Sequence, residues 1–90
     1  MTQRRRIELN SGLVLSIQAN DMAYCSPQND LGPWTEVEVG YPSEMVPELM
    51  KYAEEPDNPT ETVYGWVPMK VIVSIIDKHG GVKGAVNLKG

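Results

Sequence analysis

The chain has 90 residues, of which 41% are hydrophobic and 22% charged, and its formal net charge is −4. We expect one small domain over residues 1–90 without a deep catalytic cavity, because a domain of this size buries only about 60% of the surface its unfolded chain exposes. The acidic balance argues against a nucleic-acid binder, which normally presents a basic face to the phosphates.

The single cysteine and the distribution of apolar residues exclude further classes of protein. Cys25 is the one cysteine, which excludes an intrachain disulfide and a cysteine-based zinc site. No apolar run approaches the roughly 20 residues of a membrane span. No apolar segment follows the basic N-terminus, so the sequence also lacks the pattern of a signal peptide. We therefore expect a cytoplasmic protein with no metal, no cofactor and no membrane contact.

The first predicted element is a β-hairpin. Residues 6–9 and 13–18 alternate between apolar and polar side chains, and Asn10-Ser11-Gly12 interrupts the alternation. Gly12 can adopt the left-handed conformation that closes a three-residue turn with a bulge. Two apolar sets would then face each other across the hairpin: Leu13, Leu15 and Ile17 on one strand, Ile7 and Leu9 on the other.

A third strand and a short helix are predicted next. Residues 35–41 alternate so that Val37, Val39 and Tyr41 point to the core. Residues 47–54 then form a short helix that begins at Pro47. Its apolar stripe comprises Val46, Leu49, Met50 and Ala53.

The last predicted elements are a strand over residues 62–67 and the strongest helix, which begins at Pro68 and ends before Gly80-Gly81. Residues 82–90 form either an edge strand through 85–88 or a frayed end. The sequence thus predicts an α+β fold. Its mostly antiparallel sheet has about four strands, the N-terminal hairpin plus two, and both helices pack on one face.

An internal echo relates the two middle strands. Thr35-Glu36, Gly40-Tyr41 and Val46-Pro47 recur in the same order as Thr60-Glu61, Gly65-Trp66 and Val67-Pro68. Each half reads as a strand, a glycine, an aromatic residue and a helix entered through Val-Pro. Duplication is one explanation. Coincidence is the other, because strand-to-helix connections favour such residues.

The best candidate for a binding site is the loop over residues 24–34, which joins two predicted strands and carries polar and aromatic side chains. Tyr64 and Trp66 alternate with valines on the fourth strand. They lie either on the open sheet face near the loop or in the core. The candidate binding residues are Tyr24, Cys25, Gln28, Asn29, Asp30, Trp34, Tyr64 and Trp66.

Catalytic groups are sparse. Cys25 and His79 are the only nucleophile-base pair by residue type, and nothing around Cys25 favours its activation. Asp21 and Asp30 could act as an acid-base pair, although they equally suit turns. The acidic connection over residues 54–61 fits no calcium loop and is more typical of a solvated surface.

Five segments carry a resemblance to a known group of proteins: Tyr24-Cys25-Ser26-Pro27, Gly32-Pro33-Trp34, Glu38-Val39-Gly40-Tyr41-Pro42-Ser43, Tyr64-Gly65-Trp66-Val67-Pro68 and His79-Gly80-Gly81. They resemble segments of small uncharacterised proteins encoded by bacteriophages and prophages. The resemblance extends over most of residues 7–81. It implies an accessory protein that is made in an infected bacterium and binds a host component. It assigns no functional residue.

These observations favour a non-enzymatic binding protein of phage type. It would act on a host protein or a small signalling molecule through the 24–34 loop and an aromatic sheet face. The alternative is a homo-oligomeric structural or assembly protein of a phage. A large closed assembly would favour this alternative, whereas a monomer or a homodimer would favour the binding protein. A small enzyme that uses Cys25 is the third hypothesis.

Overall fold

A five-stranded antiparallel sheet and two short helices form an α+β fold. The computed structural model describes residues 4–20, 22–29 and 31–88. The strands run in the spatial order β4-β3-β2-β1-β5. The elements in chain order are β1 (Arg4–Leu9), β2 (Val14–Gln18), β3 (Glu36–Gly40), a 3-10 helix (Pro47–Tyr52), β4 (Val63–Pro68), α1 (Met69–Lys78) and β5 (Val82–Leu88).

The predicted hairpin and its register are confirmed, although β1 begins at Arg4, two residues before the predicted strand, and β2 begins at Val14, one residue after it. Ile7 lies opposite Leu15 in the antiparallel ladder of β1 and β2. Gly12 has a φ of 98°, which is the left-handed conformation expected of it. The Leu9 N–H donates to the Leu13 carbonyl at 2.8 Å and closes the turn. Alternating side chains and one permissive glycine are therefore sufficient to specify this part of the sheet.

The sheet has one strand more than the four predicted. Residues 82–88 form β5, which pairs antiparallel with β1 along its whole length, so the edge-strand alternative for the tail is correct. The chain reaches this position directly after α1. The side chain of Asn10 in the hairpin turn donates through Nδ2 to the Gly80 carbonyl at 2.6 Å. This contact brings the end of α1 to the outer edge of β1, where β5 can begin.

Both helices pack on the same face of the sheet. Leu49 of the 3-10 helix and Ile72 and Ile75 of α1 belong to a single buried cluster with the inward side chains of the strands. The remaining buried members are Leu9, Leu13, Leu15, Val37, Val39, Val46, Tyr64 and Val67. Neither helix of the described chain is long and apolar enough to cross a membrane.

The prediction that Tyr41 points to the core is wrong. Its backbone has a φ of 48°, in the left-handed region, and its side chain remains 42% exposed. The next residue, Pro42, is buried in its place. The positive φ turns the chain at the end of β3, so the simple alternation that predicted an inward Tyr41 stops one residue earlier.

Strict alternation also fails in β4. Val39 pairs with Tyr64 and Val37 pairs with Val67, so β4 uses one residue more than β3 between the two pairs. This β-bulge lets Tyr64 and Val67 both point into the core, where each is fully buried. Trp66 has a φ of 51° and is 49% exposed. Neither sequence alternative is thus correct, since Tyr64 lies in the core and Trp66 lies outside it.

Candidate functional site

The most prominent surface feature of the described chain is a pair of stacked aromatic rings. Tyr24 and Trp66 have ring centroids 5.0 Å apart and an angle of 17° between their planes. Tyr24 is 40% exposed and Trp66 is 49% exposed. Partly exposed Tyr and Trp side chains combine a large apolar area with a polar atom, a combination that is typical of contact surfaces.

Hydrogen bonds from two strands hold the backbone of Tyr24. The Trp66 N–H of β4 donates to the Tyr24 carbonyl at 2.9 Å. The Tyr24 N–H donates to Oε1 of Glu38, on β3, at 3.1 Å. Tyr24 therefore lies in a loop but is fixed to the sheet, which places its ring beside Trp66.

Gly65 gives Tyr24 the space that it occupies. A Cβ atom at residue 65 would lie 3.2 Å from Tyr24 Cβ and 3.5 Å from Cδ2 of its ring. The first distance is tighter than nine in ten contacts of real Cβ atoms, so a side chain there would require Tyr24 to move by a few tenths of an ångström. The glycine of the bulge thus allows the loop to approach β4 closely.

The backbone of Trp66 is strained. A bulky residue with a φ of 51° is a rare case, and the left-handed region costs about 1–2 kcal/mol for an L-amino acid. The strain turns the indole away from the core while Val67 is buried. Strained residues that remain exposed are found preferentially at functional sites.

The stack borders an open groove of about 330 Å³, lined by Tyr24, Tyr52, Glu54, Gly65 and Trp66. Tyr52 and Glu54 reach it because the chain after the 3-10 helix runs antiparallel to β4. An isolated bridge joins Ala53 to Tyr64, and the Glu54 N–H donates to the Val63 carbonyl at 3.0 Å. Three aromatic residues and one glutamate therefore line the same space.

The electrostatic character of the groove comes from Glu54. Its side chain is exposed. The ion pairs of the described residues join Lys78 to Glu48 and Lys83 to Glu8, so Glu54 takes part in neither. Lys51 Nζ lies 5.3 Å from the centroid of the Tyr52 ring, a cation–π contact within the chain.

Most other predicted site residues in the loop serve its internal structure. Cys25 is only 2% exposed, and its Sγ lies 3.2 Å from the Asn20 carbonyl oxygen and 3.4 Å from that of Pro27, so its single S–H is shared between two backbone acceptors. Gln28 is exposed and donates through Nε2 to the Ala23 carbonyl at 3.2 Å. The loop thus folds over the thiol of the candidate binding residue Cys25.

The side chain of Trp34 also points inward, whereas that of Tyr24 is exposed. It packs against the core cluster, and its Nε1 donates to the Asn29 carbonyl at 3.1 Å. The side chain of Asn29 accepts from the N–H groups of Leu31 and Gly32, so it too holds the loop. The predicted residues Asp21 and Asp30 lie outside the described residues.

The structure does not bring Cys25 and His79 together. Nδ1 of His79 lies 2.6 Å from the Ser11 hydroxyl in the hairpin turn before β2, whereas the loop that contains Cys25 follows the other end of β2.

Tyr64, the candidate binding residue on β4, is buried and is not available to a partner. Its hydroxyl donates to the Pro59 carbonyl, and burial raises the pKa of this phenol. Within the described ranges, no cluster of three or more His, Cys, Asp and Glu side chains could hold a metal ion.

Tyr52 and Glu54 are the site residues that sequence reasoning did not identify. The sequence places them in a helix and in an acidic connection. Only the bridge between Ala53 and Tyr64 brings them to the stack, and no local pattern predicts such a pairing.

Comparisons of the chain with protein-family models, with curated proteins and with solved structures find no match.

Proposed function

We propose that the chain is a small non-enzymatic binding protein that docks a partner protein through the Tyr24–Trp66 stack and the adjoining groove. The observation that supports this most directly is the exposure of two large stacked rings whose backbones are held in place by the sheet. Tyr and Trp dominate the binding energy of protein interfaces, because they bury much area and lose little conformational entropy.

The shape of the groove favours a protein partner over a small signalling molecule. Small-molecule sites bury most of their ligand in a concave pocket. Here five residues border a space that opens to solvent beside the stack. The resemblance to phage proteins makes a protein of an infected bacterium the partner to test first.

A pull-down from bacterial lysate tests the proposal with matched variants. Trp66→Gly and Tyr24→Ala remove the two rings of the stack. Tyr41→Gly is the control, since Tyr41 is also an exposed aromatic residue with a positive φ but does not line the groove. We expect a stoichiometric partner that is retained by wild type and by Tyr41→Gly and lost from both stack variants. Retention by all four proteins contradicts the assignment of the site.

Trp34 is not suitable for this test, although the sequence indicates it as a candidate binding residue. It packs against the core and hydrogen-bonds to Asn29, so its replacement would disturb the loop itself. Loss of binding in a Trp34 variant would therefore not distinguish a contact residue from a structural one.

Self-assembly is a second candidate function, favoured by β5. This strand of seven residues forms one end of the sheet and pairs with β1 on its inner side. An edge strand presents backbone donors and acceptors to which a second copy can add. Light scattering over a range of protein concentrations tests it: a stable closed oligomer supports assembly, and a monomer at all concentrations contradicts it.

A further inference from the structure

We propose that the groove beside the stack receives an arginine side chain of the partner protein, with its guanidinium among the rings of Tyr24, Tyr52 and Trp66 and paired with the Glu54 carboxylate. This inference rests on the proposed function and adds the chemistry of the bound group to it.

The composition of the groove supports a cation. Among the residues that the structure describes, its lining comprises three aromatic residues, one glutamate and one glycine, and none of these five is basic. The face of an aromatic ring carries negative electrostatic potential and attracts a cation that lies within about 6 Å of the ring centroid. The Glu54 carboxylate adds a full negative charge at the edge of the same space.

The chain itself already shows this chemistry at one of the rings. Lys51 Nζ lies 5.3 Å from the centroid of Tyr52. The Tyr52 ring thus already attracts one cation of the chain, and a bound guanidinium would share this ring with Lys51 or displace its ammonium. The net charge of −4 favours approach of a basic partner over an acidic one.

Arginine fits the groove better than other cations. Its planar guanidinium stacks on aromatic rings, forms two parallel hydrogen bonds with a carboxylate and is less strongly hydrated than the ammonium of lysine. The volume of about 330 Å³ is near the lower limit of ligand pockets and accommodates one long side chain.

The same features argue against a nucleotide base as the occupant. Aromatic rings can stack on bases, but every nucleotide brings a phosphate. That phosphate would approach Glu54 on a protein of net charge −4, and none of the lining residues that the structure describes is a lysine or an arginine.

The test is a titration with three short peptides, acetyl-Gly-X-Gly-amide, in which X is arginine, lysine or citrulline. Citrulline has the shape of arginine without its charge. The indole N–H signal of Trp66 in a ¹⁵N–¹H NMR spectrum reports occupancy. The indole of Trp34, which is hydrogen-bonded to Asn29, gives an internal control signal.

We expect the arginine peptide to shift the Trp66 signal in a saturable manner, while the Trp34 signal stays in place. Glu54→Gln should weaken this binding by about tenfold, a typical effect of losing one charge-assisted pair. Glu55→Gln is the matched control, because Glu55 is an exposed neighbour that does not line the groove. The lysine peptide should bind more weakly, and citrulline should leave the signal unchanged.

Three results would overturn the inference: equal binding of arginine and citrulline, equal effects of Glu54→Gln and Glu55→Gln, or no shift of the Trp66 signal by any peptide at millimolar concentration. These results do not decide the proposed function. A captured partner that depends on Tyr24 and Trp66 would leave the binding function standing without arginine recognition. A captured partner that is retained by the Tyr24 and Trp66 variants would contradict both the binding site and arginine recognition.

Discussion

Replacement of Trp66 by glycine and by alanine tests whether its backbone is strained as the structure shows. Both variants remove the whole indole, so the lost packing is nearly the same and the difference between them reports on the backbone. At a φ of 51°, alanine keeps the cost of about 1–2 kcal/mol and glycine does not. Glycine loses about 0.5–1 kcal/mol more conformational entropy than alanine on folding. We therefore expect Trp66→Gly to be more stable than Trp66→Ala by about 0.5–1 kcal/mol.

An exposed position in a helix serves as a control, because there the alanine variant is expected to be more stable than the glycine variant. Val73 lies in α1 and is 57% exposed, and in a helix interior alanine is favoured over glycine by about 1 kcal/mol. Val73→Ala should thus be more stable than Val73→Gly. Tyr41, with a φ of 48°, should behave like Trp66.

Urea unfolding followed by circular dichroism measures all six variants. A difference of 1 kcal/mol corresponds to about 4–8 °C in Tm for a domain of this size, so thermal unfolding is an independent check. A more stable alanine variant at residue 66 would refute the left-handed assignment and the argument that strain keeps the indole exposed. The expected result also makes Trp66→Gly the proper variant for binding assays, because it removes the ring and relieves the strain.

Three further predictions concern the supports of the site. Gly65→Ala should weaken partner binding, as measured by titration, because the new Cβ pushes Tyr24 away from Trp66. Asn20→Ala should destabilise the protein by about 1–3 kcal/mol in urea unfolding, since Oδ1 of Asn20 accepts from two loop N–H groups, and Asn20→Asp should restore stability. Burial raises the pKa of Tyr64 above its usual 10.0, so its stabilising contribution is complete below about pH 10 and is lost as the pH rises through the folded-state value. Wild type should therefore lose stability above pH 10 more steeply than Tyr64→Phe.

The parts of the fold that the sequence predicts best are those in which neighbouring residues determine the structure. Alternation and Gly12 specify the hairpin of β1 and β2, and the spacing of Ile72 and Ile75 places α1 on the sheet. The sequence does not decide between an edge strand and a frayed end for the tail, because apolar and polar side chains alternate only weakly over residues 82–88. Its pairing with β1 joins segments that are distant in the chain, and sequence pattern alone does not report such contacts.

The candidate site was predictable only in part. Tyr24 and Trp66 were both identified as binding residues, and the structure stacks them. Gly65 within a strand was a usable sign of a bulge, and a bulge would have separated the faces of Tyr64 and Trp66. The inward turn of Cys25 had no such sign, because it follows from hydrogen bonds to the backbone of its own loop.

The two halves of the internal echo share a backbone conformation but not a site. In Gly40-Tyr41 and in Gly65-Trp66 the aromatic residue has a positive φ, is exposed and is followed by a buried residue. The pair of a glycine and an aromatic residue thus occurs twice with the aromatic side chain turned out of the sheet. Only Trp66 forms a ring stack among the described residues, and its partner comes from the loop between β2 and β3. The loop therefore makes one of two locally similar positions a candidate binding site, and loop variants such as Asn20→Ala should affect binding at Trp66 while leaving the exposure of Tyr41 unchanged.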